Sequence, residues 1–547
     1  MPLGGDAMSE APLLEDTDRT SGRSALRKNI AAAMALSGAV RSTLGPKGLD
    51  KLLLDDEGRT LVTNDGVTVL ETARVEHPVA RMLIDASSAQ DRTARDGTTS
   101  AVVIAAELLR NAWHLVVEGV HPSTIVRGYR RAETEALEML DRLAIEGSDD
   151  DLVTAVRSSL AGKASTAVQA RLAVLAVEAA AAVEREVDGR MEVDPTRIST
   201  IMAVGRPATD SEVVNGLVLA KRLANPSMVK VVNNGRIVLV DGGIERRTVR
   251  SDVSFQATSP EVLNALRRRE NERLMEEVAH LSSLGAHVLA VSGAIDDEVH
   301  RALMDAGIQA FRRVPASDLD LLALATGARV VLRADQAEDV DVGHAIESRS
   351  HLIGDLHHWT VRGEGVAATF IARGSSDHVV EETSRCFDDA VGVAAQVRLD
   401  RRILVGGGAA HVALARHLRR RAEATPGREQ LAMEAYADAL ESIPRALAEN
   451  AGLDPIDALL DVTAAQAEGG GDAHRIGLDL SDGTPKDLGA LGVLEPLSVV
   501  RPTIHGATEA ACAVLRIDDV LWARLEAQIP DDIQAQLDAM GERDAEA

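Results

Sequence analysis

The chain changes its pattern twice along its length, and this change constrains the fold more than any other feature. Apolar residues recur at helical spacing up to about residue 180, and the same spacing returns after about residue 375. Between these parts lie four strand-like runs, at 236–240, 286–291, 308–314 and 328–332. The later runs alternate with helical segments, which is typical of α/β layering. We therefore predict a mostly helical domain, built from both ends of the chain, that an α/β insertion at 227–373 interrupts.

Length and composition exclude several classes of protein. A chain of 547 residues is too long for one hydrophobic core and suggests roughly three to five domains. Aromatic residues make up only 2% of the chain, so its cores must be built from Ala, Val, Leu and Ile. The formal net charge of −26 argues against nucleic acid or an anionic membrane as the main partner.

The cysteines and the apolar runs bear on the compartment of the protein. Cys386 and Cys512 are too few for a disulfide framework or a cysteine zinc site, and we expect both to be small buried residues. The first 22 residues lack the basic and apolar regions of a signal peptide. We also expect no apolar run to approach the roughly 20 residues that span a bilayer. These observations predict a cytoplasmic protein.

The first 71 residues carry two local patterns. Apolar spacing predicts a helix over 24–44, which ends at Gly45 and Pro46. The run RTLVT is followed by Asn64-Asp65-Gly66 and then by VTVL, and this order predicts a β-hairpin with Asp65 at its tip.

Four short stretches are rich in glycine and small polar residues, and together they form a candidate phosphate site. They are TLGPKG at 43–48, TNDG at 63–66, DGTTS at 96–100 and GGGA at 406–409. Each one alone is weak evidence, because Asp-Gly is usually a turn and glycine-rich turns between strands and helices are common.

The stretch RDGTTSAVVIAAELL, at 95–109, places its polar residues where a long apolar helix begins. A helix N-terminus carries unpaired N–H groups and partial positive charge, so it holds anions. Gly97 allows close approach of the backbone, and Asp96 suits an anion that arrives with Mg²⁺. The alternative is that Asp96 or Thr98 simply caps a core helix.

Several common sites are absent from the sequence. Neither Lys47 nor Lys163 has the GxxxxGK[ST] spacing of a P-loop, and no dinucleotide fingerprint is present. The chain also contains no HExxH motif that would indicate a zinc site.

Taken together and in order, longer motifs resemble those of the group II chaperonins, the thermosome and its eukaryotic cytosolic relatives. These motifs are STLGPKGLDKLL, LVTNDGVTVLE, HPVARMLIDAS, DGTTSAVVIAAELL, EGVHPSTIVRGYRRA, FDDAVGV, VGGGA, IPRALAENAGLDPIDAL and LGVLEPLSV, followed by ATEAACAVLRIDD. The resemblance extends from about Gly22 to Asp519.

The resemblance implies a multidomain α+β fold of the chaperonin type, with three domains in five segments. The segments are a mostly helical equatorial ATPase domain at 1–155 and 405–547, an intermediate hinge domain at 156–226 and 374–404, and an α/β apical domain at 227–373. It also implies two stacked rings of eight or nine identical or paralogous subunits, ATP and Mg²⁺ as cofactors, and unfolded polypeptides as clients.

The resemblance also implies the roles of individual residues. Asp96 matches the Mg²⁺ ligand, and Asp65 and Asp389 match two carboxylates that position the attacking water. Residues that match nucleotide-binding positions are Gly45, Pro46, Gly97, Thr98, Thr99, Ser100, Lys163, Gly407, Gly408, Asp479 and Glu495. Lys163 has an alternative interpretation as a solvated lysine at a helix end.

A protrusion of the apical domain is expected near 245–277, where the family closes its cavity. Ser259 and Pro260 predict a helix start, and Val262, Leu263 and Leu266 follow on one side. We expect these three side chains to contact clients, and the alternative is an ordinary core helix followed by a solvated charged run.

The sequence departs from the family at three places, and the first two motivate a second possible function. Arg95 stands where the family usually has glycine, His411 where it usually has an acid, and Ser384-Arg385 where it has an acid–arginine pair. The main hypothesis is an ATP-dependent chaperone, and the alternative is a regulatory or structural ring subunit with weak ATPase activity. A small-molecule kinase is a poorer alternative, because the α/β insertion offers no convergent catalytic groups.

Overall fold

The computed structural model describes residues 17–54, 60–72, 75, 77–246, 260–354 and 356–523. The N-terminal part contains β1 (Thr17–Ser21), α1 (Gly22–Arg41), β2 (Lys51–Leu54), β3 (Thr60–Thr63), α2 (Gly66–Thr72), α3 (Pro78–Ala94), α4 (Thr98–Val117), α5 (Pro122–Leu143) and β4 (Ile145–Glu146). The next part contains α6 (Asp149–Ser159), α7 (Thr166–Ala182), β5 (Glu184–Val187), β6 (Arg190–Val193), β7 (Ile198–Val204), β8 (Glu212–Asn215) and β9 (Leu217–Leu219).

The middle of the chain contains most of the strands. Its elements are β10 (Val231–Val240), α8 (Pro260–Ser283), β11 (Ala286–Val291), α9 (Asp297–Asp305), β12 (Gln309–Phe311), α10 (Ala316–Thr326), β13 (Val330–Val331), β14 (Gly343–Ile353) and β15 (Leu356–Gly363). They are followed by β16 (Ala368–Gly374) and the long helix α11 (Asp377–Leu399).

The C-terminal part is again mostly helical. Its elements are β17 (Arg402–Val405), α12 (Ala409–Glu423), α13 (Glu429–Leu440), α14 (Ser442–Asn450), α15 (Pro455–Glu468), β18 (Ile476–Asp479), β19 (Thr484–Asp487), β20 (Leu494–Pro496), α16 (Leu497–Leu515) and β21 (Asp519–Ala523).

The largest hydrophobic core joins the two ends of the chain. It packs α1, α3, α4 and α5 against α12, α13 and α16, and β1 pairs with β21 in an antiparallel ribbon. Helix α4 lies at its centre and is buried on most of its surface, because its sequence is apolar almost all round. The interrupted helical unit expected from the sequence is therefore present.

One expectation about apolar runs is wrong. Helix α4, Thr98–Val117, is long and apolar enough to span a membrane by length and composition. However, 67% of that window is buried among the other helices of the largest core. A fully buried core helix needs the same composition as a membrane span, and the two cannot be separated by hydropathy alone.

The middle of the chain forms a mixed sheet with strand order β12-β11-β10-β14-β15-β9, and β13 pairs with the end of β10. The first three strands run parallel, whereas β14 and β15 form an antiparallel hairpin beside β10. A second large core lies between this sheet and helices α8, α9 and α10. This arrangement confirms the α/β layering and the four predicted strands.

A third core lies between the other two. It packs α6, α7 and α11 against the sheet β7-β16-β8, in which β16 pairs with β7 in parallel over seven residues. Phe370 of β16 stacks on Phe387 of α11, with ring centroids 3.6 Å apart. Helix α11 also contacts α3 and α16 of the largest core. Cys386 and Cys512 are both free and buried, as expected.

The predicted hairpin at Asp65 is wrong. Strand β3 pairs with β2 before it, and Gly66 begins helix α2 instead of a returning strand. The Asp65 carboxylate accepts hydrogen bonds from the Thr68 backbone N–H at 2.9 Å and from its hydroxyl at 2.6 Å. Asp65 is therefore an N-cap, a role that Asp-Gly serves as readily as a tight turn.

The predicted protrusion falls partly outside the described residues. Helix α8 begins at Pro260, as expected, but 247–259 lie outside the described ranges. The side chains of Val262, Leu263 and Leu266 are also outside the description, so their contact with clients stays a prediction.

Candidate nucleotide-binding site

The four glycine-rich stretches meet at one cleft of about 560 Å³. The predicted residues that line it are Gly45, Pro46, Asp65, Asp96, Gly97, Thr98, Thr99, Ser100, Lys163, Gly407, Asp479 and Glu495. Gly408 lies at its edge and, with Gly407, lines a smaller cavity beside the cleft. Asp389 reaches the cleft through its contact with Lys163.

The turn between α3 and α4 is built for a close backbone approach. Gly97 has a φ of 77°, in the left-handed region that favours glycine. An added Cβ there would overlap the Thr503 hydroxyl and lie 3.2 Å from both Gln90 and Val499. Gly97 is therefore required by its conformation and by its neighbours.

Helix α4 begins without a side-chain cap. Its N-cap residue is Gly97, and no side chain in the described part of the chain bonds the first-turn N–H groups. The Asp96 carboxylate accepts a hydrogen bond from the Gly97 N–H at 2.8 Å, one residue too early to cap the helix. The capping alternative is thus wrong, and the first turn of α4 presents its N–H groups and hydroxyls to the cleft.

A second helix N-terminus points to the same place. Helix α2 begins at Gly66, where an added Cβ would overlap the Thr99 hydroxyl and lie 3.4 Å from its Cβ. The starts of α2 and α4 therefore touch. Asp65 already caps the start of α2, so the uncapped first turn of α4 is the one that offers free N–H groups to an anion.

Lys163 forms an ion pair with the carboxylate of Asp389, 2.7 Å from Nζ to Oδ2. Burial lowers the pKa of Lys163, but the charges of Asp389, Asp96 and Asp65 outweigh it and raise the pKa above its usual value. The lysine is therefore charged and mostly buried. The alternative of a solvated lysine at a helix end is wrong.

Four acidic side chains and three lysine or arginine side chains line this cleft, and Asp389 adds a further carboxylate beside Lys163. Burial raises the pKa of Asp96, the Lys163 charge and the Gly97 N–H oppose the shift, and Asp389 and Asp65 add to it. No three-ligand metal cluster exists among the described residues. One buried carboxylate in negative surroundings fits Mg²⁺ that arrives with a phosphate, because Mg²⁺ usually takes one or two carboxylates plus phosphate oxygens and water.

The glycine turn before α12 is tied to Glu495. Gly407 and Gly408 have φ angles of 64° and 82°, and the Gly407 N–H donates to Glu495 Oε1 at 3.1 Å. Burial raises the pKa of Glu495 to about 7, the Gly407 N–H opposes this shift, and the Asp96 charge adds to it. Glu495 can therefore act as donor or acceptor near neutral pH.

Asp479 has a different environment at the rim of the cleft. Its carboxylate lies 2.7 Å from Lys486 Nζ and accepts from the Ser481 N–H at 2.9 Å. The hydrogen bonds of Lys486 and Ser481 lower the pKa of Asp479 to about 2. This carboxylate is therefore ionised and already paired.

The three departures occupy different surroundings. His411 is buried, and neither ring nitrogen has a partner in the described part of the chain. Ser384 is buried in α11, whereas Arg385 pairs with Glu382 at 2.6 Å. Arg95 has a left-handed backbone and lies against α11.

Sequence reasoning missed Gln90 and Thr503. The Gln90 amide donates to the Asp96 carbonyl at 2.9 Å and to the Thr503 hydroxyl at 2.9 Å. It thereby ties the turn before α4 to Thr503 of α16, which follows Gln90 by 413 residues in the chain. No local motif marks either residue, because the contact depends on how α3 and α16 pack.

The comparisons with known proteins agree with this fold and cleft. The family model of the TCP-1/cpn60 chaperonin family matches residues 36–524, so the chain belongs to that family. Within it, the chain is a group II chaperonin subunit, an ATP-dependent molecular chaperone.

The relatives that support this assignment are thermosome subunits. The chain is 41% identical to a thermosome subunit of Pyrococcus horikoshii, over 93% of each chain. It is 42% identical to a thermosome subunit of Methanopyrus kandleri, over 95% of this chain and 96% of the relative. It is also 41% identical to the thermosome subunit beta of Archaeoglobus fulgidus, over 94% of each chain. Nothing in these relatives favours the regulatory alternative.

Proposed function

We propose that this subunit hydrolyses ATP in the cleft and uses hydrolysis to drive the enclosure of unfolded polypeptide. The observation that carries the proposal is the ion pair between Lys163 and Asp389. Lys163, between α6 and α7, and Asp389 of α11 both belong to the third core, and Lys163 lines the cleft, where the charge of Asp96 from the largest core acts on it. Phosphoryl transfer depends on positioning and charge neutralisation, so a carboxylate that enters from a separate core can gate the reaction.

The roles of the residues follow from their chemistry. The N–H groups and hydroxyls of Thr98, Thr99 and Ser100 bind the phosphates, and Lys163 neutralises part of their charge. Asp65 and Asp389 accept hydrogen bonds from the attacking water and orient it.

The remaining residues hold the other end of the nucleotide and the metal. Gly45, Pro46, Gly407 and Gly408 allow the nucleotide to approach the backbone, with Glu495 at the ribose and Asp479 nearer the base. Asp96 holds Mg²⁺, which when bound supplies positive charge to the phosphates during transfer.

At the level of the molecule, we propose that the three large cores correspond to the equatorial, intermediate and apical domains. The proposed segments are 1–155 with 405–547, 156–226 with 374–404, and 227–373. The proposal includes assembly with identical or paralogous subunits into two stacked rings in the cytoplasm. The ribbon of β1 and β21 and the large buried cores support a compact equatorial unit for such a ring.

The proposal is tested by measuring ATP hydrolysis and Mg·ADP binding in the assembled protein. Wild-type protein is expected to hydrolyse ATP, and Asp96→Ala to lose Mg²⁺-dependent nucleotide binding, because it removes the metal ligand. Asp85→Ala, which changes an exposed aspartate of α3, is the matched control. Absence of hydrolysis in wild-type protein, or unchanged Mg²⁺ dependence in Asp96→Ala, would contradict the proposal.

A further inference from the structure

Arg95 has a backbone conformation that fixes the direction of its side chain. It is the C-cap of α3, with φ of 56° and ψ of 10°, and its N–H donates to the Asp91 carbonyl at 2.9 Å. A left-handed conformation carries an energetic cost at a residue other than glycine. Arg95 accepts this cost directly before Asp96, so its Cβ direction is set by the same turn that carries the metal ligand.

The aliphatic part of the Arg95 side chain packs against Gly392, a buried residue of α11. A Cβ added at Gly392 would overlap the Cβ and Cγ of Arg95 and lie 3.3 Å from its Cδ. The Cβ of Arg95 cannot rotate away, because the backbone holds it. Any side chain at position 392 would therefore force α3 and α11 apart.

The contact lies on the face of α11 that carries Asp389. Gly392 follows Asp389 by three residues, a spacing that places both on one side of a helix. One turn further, the Gln396 amide donates to the Thr93 carbonyl of α3 at 2.8 Å. The two contacts together set how closely α11 approaches the end of α3.

The charged end of Arg95 lies between acids of both helices. Its Nη1 is 3.6 Å from the Asp91 carboxylate on α3, and 54% of its side chain is exposed. On α11, partial removal from water and the Asp389 charge raise the pKa of Asp388, and the Arg95 charge opposes that shift. Among the described residues that line the cleft, Asp96–Ser100 are present and Arg95 is absent. The guanidinium of Arg95 therefore lies beside Asp91 and does not line the cleft.

We propose that Arg95 is a positioning residue for Asp389. Gly392 has no side chain and so leaves the space that the aliphatic part of the Arg95 side chain occupies. The inference rests on the proposed function, because Asp389 is the carboxylate that orients the attacking water there. Arg95 fixes the distance between α3 and α11, and this distance decides whether Asp389 meets the water in the cleft. A displacement of about 1 Å in such a group can lower turnover by up to about a hundredfold.

The test is a double-mutant cycle in the assembled protein with Gly392→Ala, Arg95→Gly and both changes together. Gly392→Ala is expected to lower kcat by about tenfold or more with KM for ATP nearly unchanged, because Asp389 moves while nucleotide binding remains. Alanine favours a helix more than glycine does, so helix propensity cannot account for a loss of kcat in Gly392→Ala. Arg95→Gly is expected to lower kcat as well, since α11 loses its support.

In the double variant, Gly392→Ala is expected to cause no further loss, because Arg95 no longer occupies the space. Gly506→Ala in α16 is the control, since a Cβ there meets no atom within 4 Å. Strictly additive effects, or wild-type kcat in both single variants, would overturn the inference. Wild-type protein without ATPase activity would contradict the proposed function instead. If wild-type protein has no ATPase activity, the same four proteins can be compared by their thermal unfolding midpoints. Additive changes in the midpoint would then overturn the proposed contact between Arg95 and Gly392.

Discussion

His411 lies in the first turn of α12, and its imidazole is buried beside the cleft. Neither ring nitrogen has a partner in the described part of the chain. Burial lowers the pKa of His411 from its usual 6.5 to about 4. Because the folded pKa is lowered, the histidine stays neutral at pH 7, and protonation at lower pH favours the unfolded state.

The change in stability with pH therefore tests whether His411 is buried in its neutral form. Stability that depends on neutral His411 is fully present above about pH 6.5 and is lost as the pH falls towards 4. At pH 5 the loss amounts to about 2 kcal/mol for this group. The His411→Leu variant is expected to lose less stability between pH 7 and pH 5 than wild-type protein, measured by urea unfolding. Exposed His114→Leu is the control, and equal losses in wild-type and His411→Leu would contradict the account.

At the scale of elements, Asp65 has two separable roles. Its carboxylate caps α2 through Thr68, and the same side chain lines the cleft. Asparagine caps a helix about as well as aspartate, whereas alanine does not. The cap and the proposed catalytic role can therefore be separated by substitution.

We expect Asp65→Asn to keep the thermal unfolding midpoint of wild-type protein and to lose most ATP turnover. Asp65→Ala should lose turnover and also about 1 kcal/mol of stability, because the first turn of α2 loses its cap. Calorimetry and a phosphate-release assay measure the two effects. Wild-type turnover in Asp65→Asn would remove Asp65 from the catalytic machinery.

The elements also show how far sequence alone predicts this fold. Strands β10 and β11 were predictable because they are apolar runs bounded by turn residues. Helix α1 was predictable from its apolar spacing, but it ends at Arg41 and not at residue 44, so its predicted end is wrong. The start of α2 was missed because Asn-Asp-Gly serves hairpins and helix caps alike.

Within the site, the local motifs were predictable and their supports were not. The turn at Asp96–Ser100 follows from its sequence pattern. Two supporting contacts join residues that are far apart in the chain. One is the hydrogen bond from Gln90 to Thr503, and the other is the packing of Arg95 against Gly392. Such contacts depend on helix packing, which no short pattern encodes.

At the scale of the molecule, the apical protrusion remains a prediction. Deleting 250–266 should leave the rings assembled, because the α8 residues that enter the second core, Leu274, Val278 and Leu281, follow the deletion. The deletion is expected to abolish protection of an enclosed protein from added protease in the presence of ATP. Normal protection after the deletion would contradict a lid at 245–277.

The whole account depends on α11 carrying Asp389 from the third core to the cleft. Asp389→Ala tests this most directly in a single-turnover ATP hydrolysis measurement, with Mg·ADP affinity measured in parallel and exposed Asp377→Ala of the same helix as control. We predict that hydrolysis falls by about 10²-fold or more while affinity is kept or increases, since Lys163 loses its partner and no phosphate ligand is removed. Hydrolysis at the wild-type rate in Asp389→Ala would contradict the account.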